Sequence, residues 1–160
     1  MAIYKGNNPI SKLFVGNAQI GKVYKGSTLV YTAEERLADI SANATGSPSS
    51  GSSKSFTSTD YWVLTGYDTL SLTVTNSIKC YNWVSGQNHT KSVATYLVFA
   101  DGTTLSLGTA SSANKTVDLT KYTDVQKAKV YIKGTVYYSI DNATNKAFSG
   151  SAIATNAIAS

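Results

Sequence analysis

The first 32 residues repeat every ten positions, and this period is the strongest constraint on how the chain folds. Four columns match between the units: an opening apolar residue, an aromatic residue, a glycine and a second apolar residue. They are Ile3, Leu13 and Val23; Tyr4, Phe14 and Tyr24; Gly6, Gly16 and Gly26; and Ile10, Ile20 and Val30. A fixed period usually marks a repeated structural unit. Ten residues hold little more than strand and turn, so the repeat predicts a small β-unit.

Gly-Asn or Gly-Ser pairs follow the apolar and aromatic run of each repeat. Glycine reaches the positive φ angles that tight hairpin turns need, and short β-prone runs separated by such pairs are typical of hairpins. We therefore predict a β-meander of short strands over residues 1–32. The alternative is that three hairpins of an ordinary β-domain resemble one another by chance.

The composition also favours an all-β protein. Apolar residues make up 42% of the 160-residue chain and charged residues only 14%, against about a quarter in a typical protein. The surface must therefore consist largely of Ser, Thr, Asn and Gly. The 11 tyrosines suit the half-buried, pleated surface of a sheet. A chain of this length holds one domain, or one domain with a small appendage.

Residues 56–160 show the pattern of a β-sandwich. Leu70, Leu72 and Val74 alternate with Ser and Thr, which places the apolar side chains on one face of a half-buried strand. Other short runs follow, and an Asp-Gly pair between two of them is a strong hairpin-turn signal. About seven or eight short strands with regular turn signals predict a sandwich of the jelly-roll kind.

Three later features of this region are less regular. KYTDVQKA, residues 121–128, is typical of a turn or loop, and AKVYIKGTVYYSI after it is predicted to be either one long strand or a bent pair of strands with Gly134 at the bend. Near the C-terminus, Phe148, Ile153 and Ile158 recur about every five positions in an Ala-rich stretch, which fits neither helix nor strand periodicity. We expect a final strand and a tail there, with small residues packed against a neighbouring chain.

Residues 33–55 are predicted to form a short helix followed by a linker. Thr32 and Glu35 have the spacing of a capping box, which predicts a helix near 33–41. Residues 41–55 are mainly Ser, Gly and Ala, a composition that cannot bury enough apolar surface to order itself. The predicted organisation is an attachment region at 1–32, a helix and linker at 33–55, and a β-sandwich at 56–160.

The charge distribution bears on possible partners. The formal net charge is +5, and the four lysines of residues 1–32 have no acidic residue among them. Such a segment could bind nucleic acid, but lysines on short exposed strands also prevent edge-to-edge aggregation, and we favour this second interpretation. No run has the layout of a signal peptide or a membrane span. We therefore expect assembly in a cytoplasm, no membrane partner and no nucleic acid.

The sequence offers little for catalysis or metal binding. His89 is the only histidine and Cys80 the only cysteine, and no metal-ligand spacing, nucleophile elbow or phosphate-binding glycine loop is present. His89 is more consistent with a loop residue than with a base, and Cys80 with a small buried apolar residue. Asp101, Asp118 and Asp124 could join a calcium site, although each also suits a turn, which we favour. We predict no enzyme activity, no metal and no cofactor.

Aromatic side chains near the start of the sandwich could bind a ligand, because exposed aromatic faces are platforms for sugars or bases. The candidates are Trp62 and Trp83, with Asn88 and His89 as an adjacent polar rim. Neighbouring strand residues point to opposite faces, so some of these aromatic residues must belong to the core. For both tryptophans we favour core packing over ligand contact.

The repeat IYKGNNPISK LFVGNAQIGK VYKGSTLVY resembles a motif of tailed-bacteriophage virion proteins. It is similar to the N-terminal repeat Ile-x-Lys-Val-Tyr-x-Gly-x-x-x-Val of tail, baseplate and head-fibre proteins, including those of phages of gut bacteria. The segments DTLSLTVTN and ATYLVFADGTTLSLG likewise resemble the galactose-binding-like jelly-roll modules that decorate such fibres. The resemblance implies a structural protein of the virion, a head fibre, tail fibre or capsid decoration protein.

The resemblance further implies that residues 1–32 attach to a capsid or tail protein while the sandwich projects outward, where it could serve host adhesion. A meander this small is marginal in water by itself, and the predicted linker argues against support from the sandwich of the same chain. We therefore expect a homotrimer. The residues expected at the attachment or oligomer interface are Tyr4, Phe14, Ile20, Tyr24 and Val30. The alternative function is a carbohydrate-binding module that recognises bacterial cell-wall glycan.

Overall fold

The computed structural model describes the chain except for residues 1–3, 6–7, 10–12, 16–17, 21, 26, 33, 47–51, 82–88 and 141–146. For most residues before position 34, and for the strand residues that flank the later gaps, only the backbone is described.

Each ten-residue unit forms one hairpin. The strands are β1 (Tyr4–Lys5), β2 (Asn8–Pro9), β3 (Leu13–Val15), β4 (Ala18–Ile20), β5 (Lys22–Lys25) and β6 (Thr28–Thr32). The pairs next to the turns are Lys5 with Asn8, Val15 with Ala18, and Lys25 with Thr28. Two residues, the first of them the repeat glycine, therefore connect the strands each time. Within the described residues each hairpin pairs only with itself, so the repeat forms three hairpins instead of one continuous meander.

The remaining strands form a sandwich. They are β7 (Glu35–Arg36), β8 (Ile40–Gly46), β9 (Ser52–Thr57), β10 (Thr69–Tyr81), β11 (His89–Val98), β12 (Thr104–Gly108), β13 (Ser112–Asp118), β14 (Tyr131–Ile140) and β15 (Ala147–Ala159). The five-stranded sheet has the order β13-β10-β15, with β7 and β8 both paired to the other side of β15. The four-stranded sheet has the order β12-β11-β14-β9.

The strand order is that of a jelly roll. The row β8-β15-β10-β13 of one sheet corresponds to the row β9-β14-β11-β12 of the other, so that strands adjacent in the chain occupy matching positions. All neighbours within each sheet are antiparallel, and β8 with β9, β10 with β11, and β14 with β15 make contacts between the sheets. Two sheets connected in this way form a double Greek key. The predicted all-β fold with a jelly-roll-like sandwich is confirmed.

The helix predicted near 33–41 is wrong. This segment is extended, with β7 and the start of β8 paired to β15. Ile40 and Ala42 are buried at alternate positions, which is the two-residue period of a strand. This period outweighs the local capping pattern that predicted a helix. A capping box does occur at Thr123, whose side chain accepts a hydrogen bond from the backbone of Gln126. It starts the short helix α1 (Asp124–Lys127), within the segment predicted to be a turn or loop.

The boundary between linker and sandwich is also different from the prediction. The sandwich begins at Glu35, because β7, β8 and β9 are strands of its two sheets. The Ser, Thr and Asn residues that suggest a linker occupy exposed positions of β8, where they alternate with the buried ones. A polar composition therefore did not prevent ordering, since pairing with β15 satisfies the backbone of β8. Residues 47–51 lie outside the described part of the chain.

The Ala-rich C-terminal stretch is the central strand β15, and its small residues pack inside the same chain. Its inward positions are Phe148, Gly150, Ala152 and Ala154, followed by Ala157 and Ala159. The alternation changes phase at Asn156, which has a φ of 52° and lies in a β-bulge opposite β10. This bulge is the reason that the sequence shows no simple two-residue period. The predicted contact of these residues with a neighbouring chain is replaced by an intramolecular one.

Two glycines allow the sheets and side chains to approach closely. Gly134 pairs with Phe56, and a Cβ at Gly134 would lie 2.4 Å from Cε2 of that ring. The strand continues through Gly134, so of the two predicted alternatives the structure supports the single long strand. On the other sheet, a Cβ at Gly150 would lie 2.5 Å from Cγ2 of Val136, which is 1% exposed. The inward face of β15 therefore needs small residues.

We predict that Gly150→Ala lowers the free energy of unfolding by about 1–3 kcal/mol, because the added methyl group overpacks the core against Val136. Urea unfolding measures this change. The same substitution in a Val136→Ala background should cost less, since the shortened side chain leaves room for the methyl group. Equal losses in both backgrounds would contradict the contact.

Candidate functional site

Trp62 is a core residue. Its side chain is 3% exposed, its indole N–H donates to the carbonyl of Ala38 at 2.7 Å, and its backbone forms a bridge with Val130. Both the ring and its polar atom are therefore satisfied within the fold. Trp62 cannot serve as an exposed stacking platform, and of the two interpretations of this residue the structure supports core packing.

Trp62 and His89, two of the predicted ligand residues, do not lie together. Trp62 is opposite Val130, whereas His89 begins β11 and pairs with Ile140. These two positions differ by ten residues along β14, which corresponds to roughly 33 Å at about 3.3 Å per residue. Trp62 and His89 are thus at opposite ends of the sandwich. Trp83 and Asn88 lie outside the described residues, as does the His89 side chain, so their part in ligand binding remains a prediction.

We call these ends the proximal end, which contains Glu35 and Val130, and the distal end, which contains Ile140 and Ala147. The proximal end is the one that follows the hairpins in the chain, because β7 starts three residues after β6 and pairs with Ile158 and Ala159. The predicted interface residues are in the hairpin segment. Tyr4, Phe14, Ile20, Tyr24 and Val30 all belong to its strands, but their side chains are outside the description.

A groove of about 510 Å³ lies at the proximal end, between residues 35–38 and 61–67. Tyr61 and Val63 are exposed at 43% and 55%. The Tyr67 hydroxyl donates to Oε2 of Glu35 at 2.5 Å, which connects the two walls. The groove therefore combines exposed apolar side chains with one acidic group that already has a hydrogen-bond partner.

The wall of this groove is fixed by a buried ammonium group. Lys127 is 5% exposed, and its Nζ donates to the carbonyl of Tyr67 at 2.8 Å and lies 3.2 Å from Oδ1 of Asp124. The same carboxylate oxygen accepts the Gly66 N–H at 3.1 Å. The Gly66 hydrogen bond, and next the Lys127 contact, lower the pKa of Asp124. These groups hold the turn before β10 against α1, which gives them a structural role.

The two remaining candidate aspartates stabilise turns. Asp101 accepts the Thr103 N–H at 2.9 Å and Asp118 accepts the Thr120 N–H at 3.0 Å. The pKa of Asp101 is lowered chiefly by its hydrogen bond from Gln126, and that of Asp118 by the Thr120 hydroxyl. In the described parts of the chain, no three His, Cys, Asp or Glu residues are grouped as metal ligands would be, and no helix is long and apolar enough to cross a bilayer.

The distal end contains a buried phenol and a half-buried thiol. Tyr138 is fully buried, and its hydroxyl has no hydrogen-bond partner among the described residues. Burial raises the pKa of this phenol, with a smaller contribution from Cys80. Burial also raises the pKa of the Cys80 thiol, and the ammonium group of Lys91 opposes this shift. Because the thiolate is the reactive form, these surroundings make Cys80 a weak nucleophile.

The outer surface of the five-stranded sheet is hydroxyl-rich, and we call it the serine-threonine face. Its outward positions include Ser41, Asn43, Thr45, Thr69, Ser71, Thr73, Thr75, Ser77, Ser112, Asn114, Thr116, Ser149, Ser151 and Thr155, with Ile153 and Ile158 as apolar members and Arg36, Lys79 and Asp118 as charged ones. Hydrogen bonds within the face include one from Thr73 to Asn114 at 2.9 Å. Its described side chains include no aromatic ring.

The outer surface of the four-stranded sheet has a different composition. Tyr96 on β11, and Tyr131 and Tyr137 on β14, occupy positions that alternate with buried residues. Tyr61 lies beside them, with its ring centroid 5.4 Å from that of Tyr131. We call these four residues the tyrosine face.

The tyrosine face was not predicted from the sequence, although part of the pattern that indicates it is local. ATYLVF and VYIKGTVYY place tyrosines out of phase with the buried apolar residues of each strand. The signal that would join Tyr96 to Tyr131 and Tyr61 is the pairing of β11 with β14, which is not visible in any local window. The two tryptophans drew attention instead because of their residue type.

We predict that Lys91→Met slows alkylation of Cys80 by iodoacetamide at pH 8 by about twofold or more, because loss of the ammonium group raises the thiol pKa further. The folded wild-type protein should itself react more slowly than the chain unfolded in urea. Lys115→Met, a substitution on β13, is the matched control and should leave the rate unchanged. A rate that is equal or faster in Lys91→Met would contradict the assigned environment.

Comparison with known proteins gives no relative from which a function could be transferred. No family model matches the chain, and no curated protein matches it significantly.

Proposed function

We propose that the protein is a structural component of a tailed-phage virion, attached to capsid or tail through residues 1–32 and displaying the jelly roll outward. The resemblance of the ten-residue repeat to virion attachment repeats supports this proposal. It applies equally to a head fibre, a tail fibre and a decoration protein. The site of action would be the assembled particle, after production in the host cytoplasm.

The observation that carries the proposal is the isolation of the hairpins. Their strands are two to five residues long, and each pairs only within its own hairpin in the described part of the chain. A two-stranded hairpin is at best marginally stable in water, because it buries too little apolar surface to offset its ordering entropy. Such a segment gains stability when other chains cover it. Identical chains about a three-fold axis, or a capsid or tail protein, could do so.

The direction of the sandwich suits this role. The hairpin segment leads into β7 at the proximal end, so attachment through residues 1–32 would leave the distal end pointing away from the particle. The sandwich has its own core and does not need the hairpins for its sheets. A mount and a displayed module can therefore be separate parts of one chain.

We predict that the full-length protein is a homotrimer at micromolar concentration, measured by light scattering coupled to size-exclusion chromatography. Phe14→Ser combined with Tyr24→Ser should yield monomers, because the aromatic residues of the repeat are expected at the interface. Lys25→Ser, next to Tyr24 in the third hairpin, is the control variant. It should remain trimeric, since Lys25 is exposed. A full-length monomer would remove the main support for self-association.

The virion assignment has a separate test. Purified particles of a phage or prophage that encodes this chain should contain it, as measured by mass spectrometry. Antibodies against the sandwich should decorate intact particles at the capsid or at the tail, which would also distinguish these two locations. Particles that lack the protein would contradict the proposal, whatever the oligomeric state.

A further inference from the structure

The tyrosine face forms a track along the four-stranded sheet. Tyr131 and Tyr137 are six residues apart on β14, which corresponds to about 20 Å. Tyr61 extends the track at the proximal end, and Tyr96 on β11 lies between the two ends because it pairs with Lys133. Tyr61 and Tyr137 are 43% and 38% exposed. The track therefore offers aromatic surface over most of the length of the sheet.

The charges on this track are positive. Lys133 lies directly across from Tyr96, and Nζ of Lys129 is 5.2 Å from the centroid of the Tyr61 ring. The described outward positions of β9, β11, β12 and β14 include no acidic residue. An anionic partner would therefore meet two ammonium groups and no opposing carboxylate on these four strands. Glu35, which lines the groove beside Tyr61, already accepts the hydrogen bond from the Tyr67 hydroxyl.

Hydroxyl groups occupy most of the remaining outward positions. Ser55 and Thr135 are hydrogen-bonded to each other at 2.9 Å beside the tyrosines, and both belong to the outer surface of the sheet. The serine-threonine face on the other side has hydroxyl groups as well but no described aromatic ring. Among the side chains that the structure describes, aromatic rings combined with lysines thus occur on one of the two outer surfaces, which distinguishes the two sides of the sandwich chemically.

We infer that the tyrosine face binds an anionic polysaccharide of the host-cell surface. Tyrosine rings present apolar faces on which sugar rings can stack, and their hydroxyl groups can hydrogen-bond to sugar oxygens. Lys129 and Lys133 provide charge complementarity to carboxylate or phosphate groups on the polymer. An extended track suits a chain that is bound at several successive sugars. Lys129 already interacts with the Tyr61 ring, so this position presents stacking surface and positive charge together.

Nucleic acid fits the same surface less well. Single-stranded nucleic acid is bound in grooves where positive charge follows the phosphate backbone, with stacking as a second contribution. Here two lysines accompany four tyrosines, so stacking and hydroxyl contacts outnumber sites for phosphate. The ratio favours a polymer whose charges are spaced by neutral or hydroxyl-bearing parts.

The inference rests on the proposed function, because a sandwich displayed on a virion is what would meet a host-cell polysaccharide. The binding itself can be tested on the purified protein. Calorimetric titrations of the full-length protein would use polygalacturonate fragments as a carboxylate polymer and wall teichoic acid as a phosphate polymer. Dextran would serve as a neutral polymer and oligo-dT as nucleic acid. We expect binding to one or both anionic glycans that weakens with added salt, and weaker or no binding to the other two.

Two exposed tyrosines provide the variants. Tyr61→Ala and Tyr137→Ala should each weaken glycan binding by about tenfold, the effect of losing one stacking contact. Tyr61→Phe should retain most of the affinity, since it keeps the ring. Thr155→Ala on the serine-threonine face is the matched control and should bind like the wild type. Unchanged thermal melting of the variants would show that they are folded.

Three results would overturn the inference: no binding to either anionic glycan, equal affinity in wild type and Tyr61→Ala, or tighter binding of oligo-dT than of any glycan. Light scattering on the same samples separates this inference from the proposed function. A trimer that binds no glycan would refute the tyrosine-face inference alone. A monomer that binds glycan would weaken the attachment proposal and leave the inference intact.

Discussion

The pairing of β15 with its neighbours is the constraint on which the sandwich depends. This C-terminal strand pairs along one side with β10, and along the other with β8 and β7. The first strands of the sandwich thus pair with the last one. Residues far apart in sequence therefore hold the five-stranded sheet together. Gly150 makes this arrangement possible, because any side chain at this position would collide with Val136 of the facing sheet, and the inward alanines of β15 are buried beside it.

The pairing of β7 with β15 also defines which end of the sandwich follows the hairpins. Because β7 joins β15 at Ile158 and Ala159, the hairpin segment leads into one defined end of the sandwich. The lysine and carboxylate of α1 fix the neighbouring turn at that same end. An outer surface that runs from this end towards the other carries the tyrosines. Attachment at one end and binding along one side are therefore compatible in a single displayed module.

Sequence reasoning succeeded where the signal is local and failed where it depends on a distant strand. Leu70, Leu72 and Val74 alternate in the sequence and are all buried, because β10 is flanked by paired strands and faces the core. The prediction of a helix near 33–41 was wrong, because a capping pattern is only a local preference. Pairing of this segment with β15 overrides that preference. The two-residue period of β15 was not recognised in the sequence, because the bulge at Asn156 shifts its phase. This bulge forms opposite the distant strand β10. The 13-residue strand β10 lies between Trp62 and His89 in the chain and places them at opposite ends of the sandwich.

The sequence by itself determined the all-β class and the short strands and glycine turns of the repeat, because glycine turns and two-residue alternation act over a few neighbouring residues. It also determined that the surface would be rich in hydroxyl groups. Only the tertiary structure decided which aromatic residues are buried and which share a surface. Alternation assigns each strand residue to one of two faces, but the partner strand and the facing sheet decide which face is the core. Trp62 became a core residue and Tyr61 an exposed one for that reason.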